Sequence, residues 1–216
     1  MTLATVTPRI VGITGLPCAG KSYLAQWLAA GKSQLGPGRL LQADDIGHQV
    51  LAQPDSARAL AQHFGPEVLS LSGQVDRRQL AKLVFSSPGA LAWLESFLHP
   101  QISQEIIKHL ETGDQTQPVF LEAALLLAVD LVKLCQLVIL VEAPLSVRQE
   151  RASRRGWDAA ELARREVRLT PLFSAENLAR FPVRICRVNN GEDEKRLESD
   201  LSIALSAAAP PIVEKG

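Results

Sequence analysis

The sequence predicts an α/β fold: a doubly wound sheet of five parallel strands that carries a helical insertion and a small helical lid. Three observations predict it. Short β-branched or aliphatic runs alternate with segments of helical periodicity, the pattern of strands wound with crossover helices. One of those runs, Leu137 to Val141, is apolar at every position, as a strand covered on both faces must be. Between the second and third runs the pattern is helical throughout, so that stretch, about residues 50–115, interrupts the alternation as an insertion would.

Ile10 to Thr14 is the first strand, ending at Gly15. Lys21 to Ala30 reads as a helix with Tyr23, Leu24, Trp27 and Leu28 on one stripe, stopped by Gly31 and Gly36-Pro37-Gly38. Arg39 to Ala43 is the second strand, and Asp44 or Asp45 caps the helix running towards Leu51. Inside the insertion, Ser56 to Phe64 is helical, Gly65-Pro66 and Ser72-Gly73 mark turns, and Asp76 caps a helix through Phe85. Pro88 opens another helix, with Leu91, Leu94 and Leu98 at helical spacing; Pro100 interrupts it and Ile102 to Leu110 resumes it. Val119 to Glu122 is the third strand and Leu137 to Val141 the fourth. Pro144 to Arg155 is an arginine-rich helix broken at Gly156-Trp157, Asp158 caps the next helix, and the lid spans about 151–175. Arg184 to Val188 is the fifth strand, and Asn189-Asn190-Gly191 follows it. A last helix runs from about Glu192 to Leu205, before a tail from Ala207 to Gly216 expected to fray. No repeat or low-complexity linker divides the chain, which reads as one domain.

At 216 residues, with 46% hydrophobic and 21% charged, the chain has the composition of a globular protein with a sizeable core. Its 23 basic and 23 acidic residues cancel, which gives no reason to expect nucleic acid or an anionic membrane as partner, so an anionic ligand must be met by a local site. Three widely separated cysteines, Cys18, Cys135 and Cys186, argue against a disulfide scaffold. No secretory signal and no membrane-spanning run is visible, and a cytoplasmic enzyme is expected.

Gly15-Leu16-Pro17-Cys18-Ala19-Gly20-Lys21-Ser22 matches G-x-x-x-x-G-K-[ST] at every fixed position. A strand precedes it and a helix follows. The glycines let successive N–H groups turn inward onto anionic oxygens, and the helix adds its positive end. Lys21 supplies a mobile charge for the β- and γ-phosphates, and the Ser22 hydroxyl is a magnesium ligand. The motif therefore predicts ATP, bound with Mg²⁺, on a P-loop of nucleotide-kinase type. Tyr23, next along the helix, falls in the same nucleotide site. Cys18 is either a small filler or a redox-sensitive thiol.

Phosphoryl transfer needs carboxylates, one to polarise the acceptor hydroxyl and one to help hold the metal's water shell. Asp44, just past the second strand, is the candidate base, with an N-cap as its plainer role. Glu122, ending the third strand, is placed to bind Mg²⁺ through water or is a solvated strand-end charge. Arg148, Arg151 and Arg155 share one helical face, and Arg164, Arg165 and Arg168 follow. Arg151 and Arg155, nearest Gly156, are expected to neutralise charge on the transferring group; a solvated face is the alternative. His48, His63 and His109 show no metal-ligand spacing. Trp27, Trp93 and Trp157 read as packing rather than stacking residues.

Together these segments resemble the dephospho-CoA kinase family over most of residues 10–192. The resemblance lies in Ile10 to Ser22, in Ala43-Asp44-Asp45-Ile46-Gly47-His48, and in Gly73-Gln74-Val75-Asp76-Arg77 with Leu80, Val84 and Phe85. It continues in Trp93-Leu94 with Leu98-His99-Pro100, in Leu121 to Leu126, and in Asn189-Asn190-Gly191. Gln42 stands where the family often has aspartate, and Ala124 and Ala128 stand in place of its proline and glutamate. The resemblance implies ATP-dependent phosphorylation of the ribose 3′-hydroxyl of dephospho-CoA, with Asp44 matching the base and Asn189 near the adenine site. It also implies that Arg77 and His99 meet the acceptor under a helical cover, although His99 beside Pro100 equally suits a structural helix junction. A kinase for a nucleoside or nucleotide, and a non-catalytic nucleotide switch, are the competing readings.

Overall fold

In the computed structural model, which describes residues 10–191 and 194–206, β1 (Ile10–Gly15) is buried along its whole length. The expected start of the last helix at Glu192 and the tail from Ala207 lie outside the described residues. Around β1 the sheet is five-stranded and parallel, in the order β2-β3-β1-β4-β5, with β2 (Arg39–Gln42), β3 (Val119–Glu122), β4 (Leu137–Glu142) and β5 (Arg184–Asn189). Ile13 sits opposite Glu122 of β3, and Gly15 opposite Val141 of β4. β4 is buried from Leu137 to Val141, as its unbroken apolar run requires.

One face of this sheet is covered by α1 (Lys21–Ala29) and α9 (Glu194–Ser206), whose Leu24, Leu28, Leu197 and Leu201 pack with Val11, Ile13, Phe120 and Ile139. Ala25, not Tyr23, completes the buried stripe of α1; Tyr23 is half exposed, because the stripe turns by one residue from the expected face. Opposite this layer a Cβ on Gly12 would meet Leu126 and Cys135. Burial pushes the Cys135 thiol up to about 12, and its Sγ donates to Leu131 O at 3.6 Å, so it is a neutral filler.

After β4 the chain forms α6 (Leu145–Arg154), α7 (Ala159–Glu166), a 3₁₀ turn (Thr170–Phe173) and the single-turn α8 (Ala175–Leu178). Asp158 caps α7 by accepting from the Glu161 N–H. Arg148 of α6 pairs with Glu166 of α7, the two side chains being only 12% and 14% exposed. Desolvation pulls the Arg148 pKa below its ordinary value, although a guanidinium still stays charged.

Gln42–Gly113 form a compact unit of their own. It contains α2 (Ala43–Leu51), α3 (Pro54–Phe64), α4 (Arg77–Ser86) and α5 (Pro88–Thr112). Its core is Leu60, Val68, Leu80 and Val84, with Trp93, Leu94 and Phe97 packed around them. Trp93 stacks on His63 at 3.7 Å and on Phe97 at 5.3 Å, so it is a packing residue.

Three expectations change here. Gln42, in extended geometry, holds the N-cap position of α2, so Asp44 and Asp45 lie inside the first turn. There their charge favours the helix through its positive end rather than by capping. Secondly, α3 starts at Pro54, where a missing N–H costs nothing. Thirdly, Pro100 does not interrupt its helix: α5 runs unbroken through it. An interior proline costs about 3 kcal/mol. Leu94 and Phe97 before it, and Ile106 and Leu110 after it, bury enough apolar surface to offset that cost. Asp76 does cap α4, accepting from Arg78 and Gln79 N–H groups. None of the described helices is long and apolar enough to cross a membrane.

Candidate active site

The chain leaves β1 on one side to reach β3 and β2, and on the other to reach β4 and β5. Such a reversal opens a crevice at the carboxyl end of the central strand. The loop from Gly15 to Ser22 lies there. Gly15 (φ +147°) has no room for a side chain, since a Cβ would run into the Val141 carbonyl. Gly20 (φ +96°) is equally constrained, by the Asn190 amide. Pro17 and Cys18 form the turn, closed by a bond from the Ala19 N–H to Leu16 O at 3.2 Å. Cys18 adopts φ +60°, and its buried thiol packs with Ala152, Leu162 and Trp157.

The loop feeds α1, whose N-terminal N–H groups and dipole face incoming anions. Lys21 Nζ donates to Leu16 O at 3.1 Å, folding the ammonium over the loop. Ser22 Oγ donates to Glu122 Oε1 at 2.7 Å, and Glu122 is only 9% exposed. The pair supplies hard oxygen donors of the kind that suit magnesium. Among the described residues there is no cluster of three or more His, Cys, Asp or Glu, so a cation here would draw its remaining ligands from water and phosphate.

A cavity of about 500 Å³ opens from this loop; Lys21, Ser22, Tyr23, Arg151, Arg155 and Asn190 are among its lining residues. Arg151 Nη1 donates to Cys18 O (3.3 Å) and Ala19 O (3.1 Å), and its Nη2 to Gly191 O (3.2 Å). Asn190 Nδ2 donates to Ala19 O at 3.0 Å and Gly20 O at 3.4 Å. Arg155, at the C-terminal end of α6, has its guanidinium 5.8 Å from the Trp157 ring centroid, while Arg165 covers that ring at 4.1 Å.

The structure thus brings the loop, Lys21, Ser22, Tyr23, Glu122, Arg151 and Arg155 into one unit. Of the turn after β5, Asn190 rather than Asn189 lines the cavity; the Asn189 N–H meets Asp200 at 3.3 Å instead. Arg154 and Leu197 also line the cavity without having been expected there, and Asn190 and Gly191, quoted only as part of a motif, join them. For Asn190 a signal was present, the second residue of the Asn-Asn pair, but side-chain direction at a strand end is not written in residue type. The remaining candidates belong to the helical unit. Asp44 is exposed in the first turn of α2, Arg77 is exposed as the first residue of α4, and His99 is half-buried within α5.

The family model for dephospho-CoA kinase matches residues 9–179. The chain is 37% identical over 147 residues to a dephospho-CoA kinase from Idiomarina loihiensis, covering 68% of this chain and 70% of that one. Among solved structures it is similar to TT1252 from Thermus thermophilus, with a TM-score of 0.72 and 29% identity over 94% of this chain and 100% of that one. A dephospho-CoA kinase from Campylobacter jejuni shares the fold, with a TM-score of 0.60 and 20% identity over 94% of this chain and 98% of that one.

Proposed function

This chain belongs to the dephospho-CoA kinase family, and we propose how its residues divide that family's reaction. The reaction moves the γ-phosphoryl group of ATP to the ribose 3′-hydroxyl of dephospho-CoA, giving coenzyme A and ADP, the last step of coenzyme A synthesis. The observation that carries the donor half is the bond from Ser22 to buried Glu122 beside a loop whose glycines admit no side chain.

In this reading Gly15 to Ser22, with Tyr23, hold ATP, and Lys21 lies along the β- and γ-phosphates. Ser22 and, through water, Glu122 would hold magnesium, which when bound neutralises charge on the phosphate oxygens. Asp44 takes the proton of the 3′-hydroxyl as its oxygen attacks the γ-phosphorus. The bond to the bridging oxygen breaks, and ADP leaves. Support for Asp44 is its place in the first turn of a helix that follows β2 directly, together with its match to the family motif. Arg151 and Arg155 bring positive charge to the rim of the cavity, where charge migrates during transfer. Arg77 and His99 receive the acceptor on the helical insertion of about residues 50–115, which acts as its cover, and about residues 151–175 act as the lid. The enzyme works in the cytoplasm.

ADP release measured against a panel of acceptors tests this reading. Turnover is expected with dephospho-CoA and not with nucleosides. Equal turnover with a nucleoside monophosphate would contradict it.

A further inference from the structure

Asn190 is a buried polar residue, 7% exposed, that stands outside the phosphate-binding motif yet is hydrogen-bonded to it. Its own N–H donates to Glu142 O at 2.7 Å, which anchors it to the end of β4. From that anchor its side-chain amide donates to both Ala19 O and Gly20 O. Arg151 adds bonds to Cys18 O and Ala19 O from α6, and to Gly191 O beside Asn190. The absence of a Cβ at Gly20 is what lets the amide come this close.

A trans peptide carries its C=O and N–H on opposite sides. Donors that draw the Ala19 and Gly20 carbonyls towards Asn190 therefore turn the N–H groups of Gly20 and Lys21 the other way. Those two N–H groups open α1, where the helix dipole is positive and a phosphate is best held. Building on the kinase reading above, we propose that Asn190 is a positioning residue for phosphoryl transfer: with Arg151 it sets the peptide orientation that makes the loop a phosphate cradle. It acts through the loop and does not read the nucleotide base.

Three measurements on the full chain test this: steady-state kinetics with ATP and dephospho-CoA, direct binding of a fluorescent ATP analogue, and thermal melting, for wild type, Asn190→Ala and Asn190→Asp. Each carbonyl keeps one other donor, Arg151 on Ala19 and the Leu24 N–H on Gly20. Asn190→Ala should therefore lower kcat/KM for ATP by about tenfold, the worth of roughly one net hydrogen bond. The KM for dephospho-CoA and the ratio of ATP to GTP turnover should not move. Asn190→Asp is the sharper variant. Its carboxylate has no proton to donate and faces two carbonyl oxygens, whereas the protonated acid donates one bond. Burial and the two carbonyl oxygens push that carboxyl's pKa up, while the Arg151 guanidinium, which shares Ala19 O with it, pulls it down. Activity relative to wild type should rise as pH falls through the range where this carboxyl titrates, while that of Asn190→Ala stays flat.

Three results would overturn the proposal. One is Asn190→Ala kinetics within twofold of wild type, and another is Asn190→Asp tracking Asn190→Ala at every pH. The third is a changed ATP-to-GTP ratio, which would make Asn190 a base reader. If Asn190→Ala does not fold, the Asn190→Asp pH series decides alone. If wild type fails to turn over dephospho-CoA, the kinase reading fails, and analogue binding still tests the clamp separately.

Discussion

The two units of this chain hold their functional groups in opposite ways. Around the phosphate loop, polar groups are tied to one another: Lys21 to Leu16 O, Ser22 to Glu122, Asn190 and Arg151 to the loop carbonyls. In the helical unit the core is apolar, built on Leu60, Val68, Leu80 and Val84, and the candidate residues Asp44 and Arg77 stand exposed. The difference suits the chemistry. A triphosphate is bound by fixed dipoles whose orientation has already been set. A base must keep a proton acceptor open, which exposure provides.

The largest expected effect separates the two regions. Asp44→Asn should slow turnover by about 10²–10⁴-fold, the usual loss for a general base, while ATP binding measured by calorimetry stays as in wild type. Unchanged turnover would remove Asp44 from the mechanism. Lys21→Ala should come next, at about 10²–10³-fold in rate for one electrostatic group. Unlike Asp44→Asn, it should also weaken ATP binding in the same titration. A variant retaining full activity would overturn the loop's role.

Stability sharpens the contrast further. Arg148→Ala strands Glu166 without its cation in a nearly buried position, and urea unfolding should register a loss of about 3 kcal/mol. Replacing both partners by apolar residues of similar size should recover much of it. The smallest effect belongs to the helical unit. Ser56 is fully buried and its Oγ has no partner among the described residues. Ser56→Ala should leave stability unchanged or raise it by up to about 1 kcal/mol, because a buried hydroxyl without a bond is a net cost. A clear loss in the same unfolding experiment would mean that the hydroxyl does bond.

The strands were legible to within a residue or two, because continuous apolar runs such as Leu137 to Val141 have no other home than a covered sheet. The loop was legible because G-x-x-x-x-G-K-S records backbone geometry directly: Gly15 and Gly20 stand where a side chain would collide. Local rules misled at Pro100 and at Asp44 and Asp45. At Pro100, burial on both sides carries the helix through a residue that ordinarily stops it. At α2, Gln42 takes the capping position. The single-turn α8 (Ala175–Leu178) and the 3₁₀ turns are too short to leave a periodicity. The bonds of Asn190 and Arg151 to the loop were not legible, since they join positions about 130 to 170 residues apart, and carbonyl acceptors leave no mark on residue type.

A fixed phosphate loop that delivers the γ-phosphoryl group of ATP to one particular hydroxyl must leave one product with phosphate at one position. The most direct test is phosphorus NMR of the product formed from ATP and dephospho-CoA. A single new phosphomonoester, on the ribose 3′-oxygen, should appear in step with ADP. Phosphate on any other oxygen, or ADP released without a phosphorylated acceptor, would contradict it.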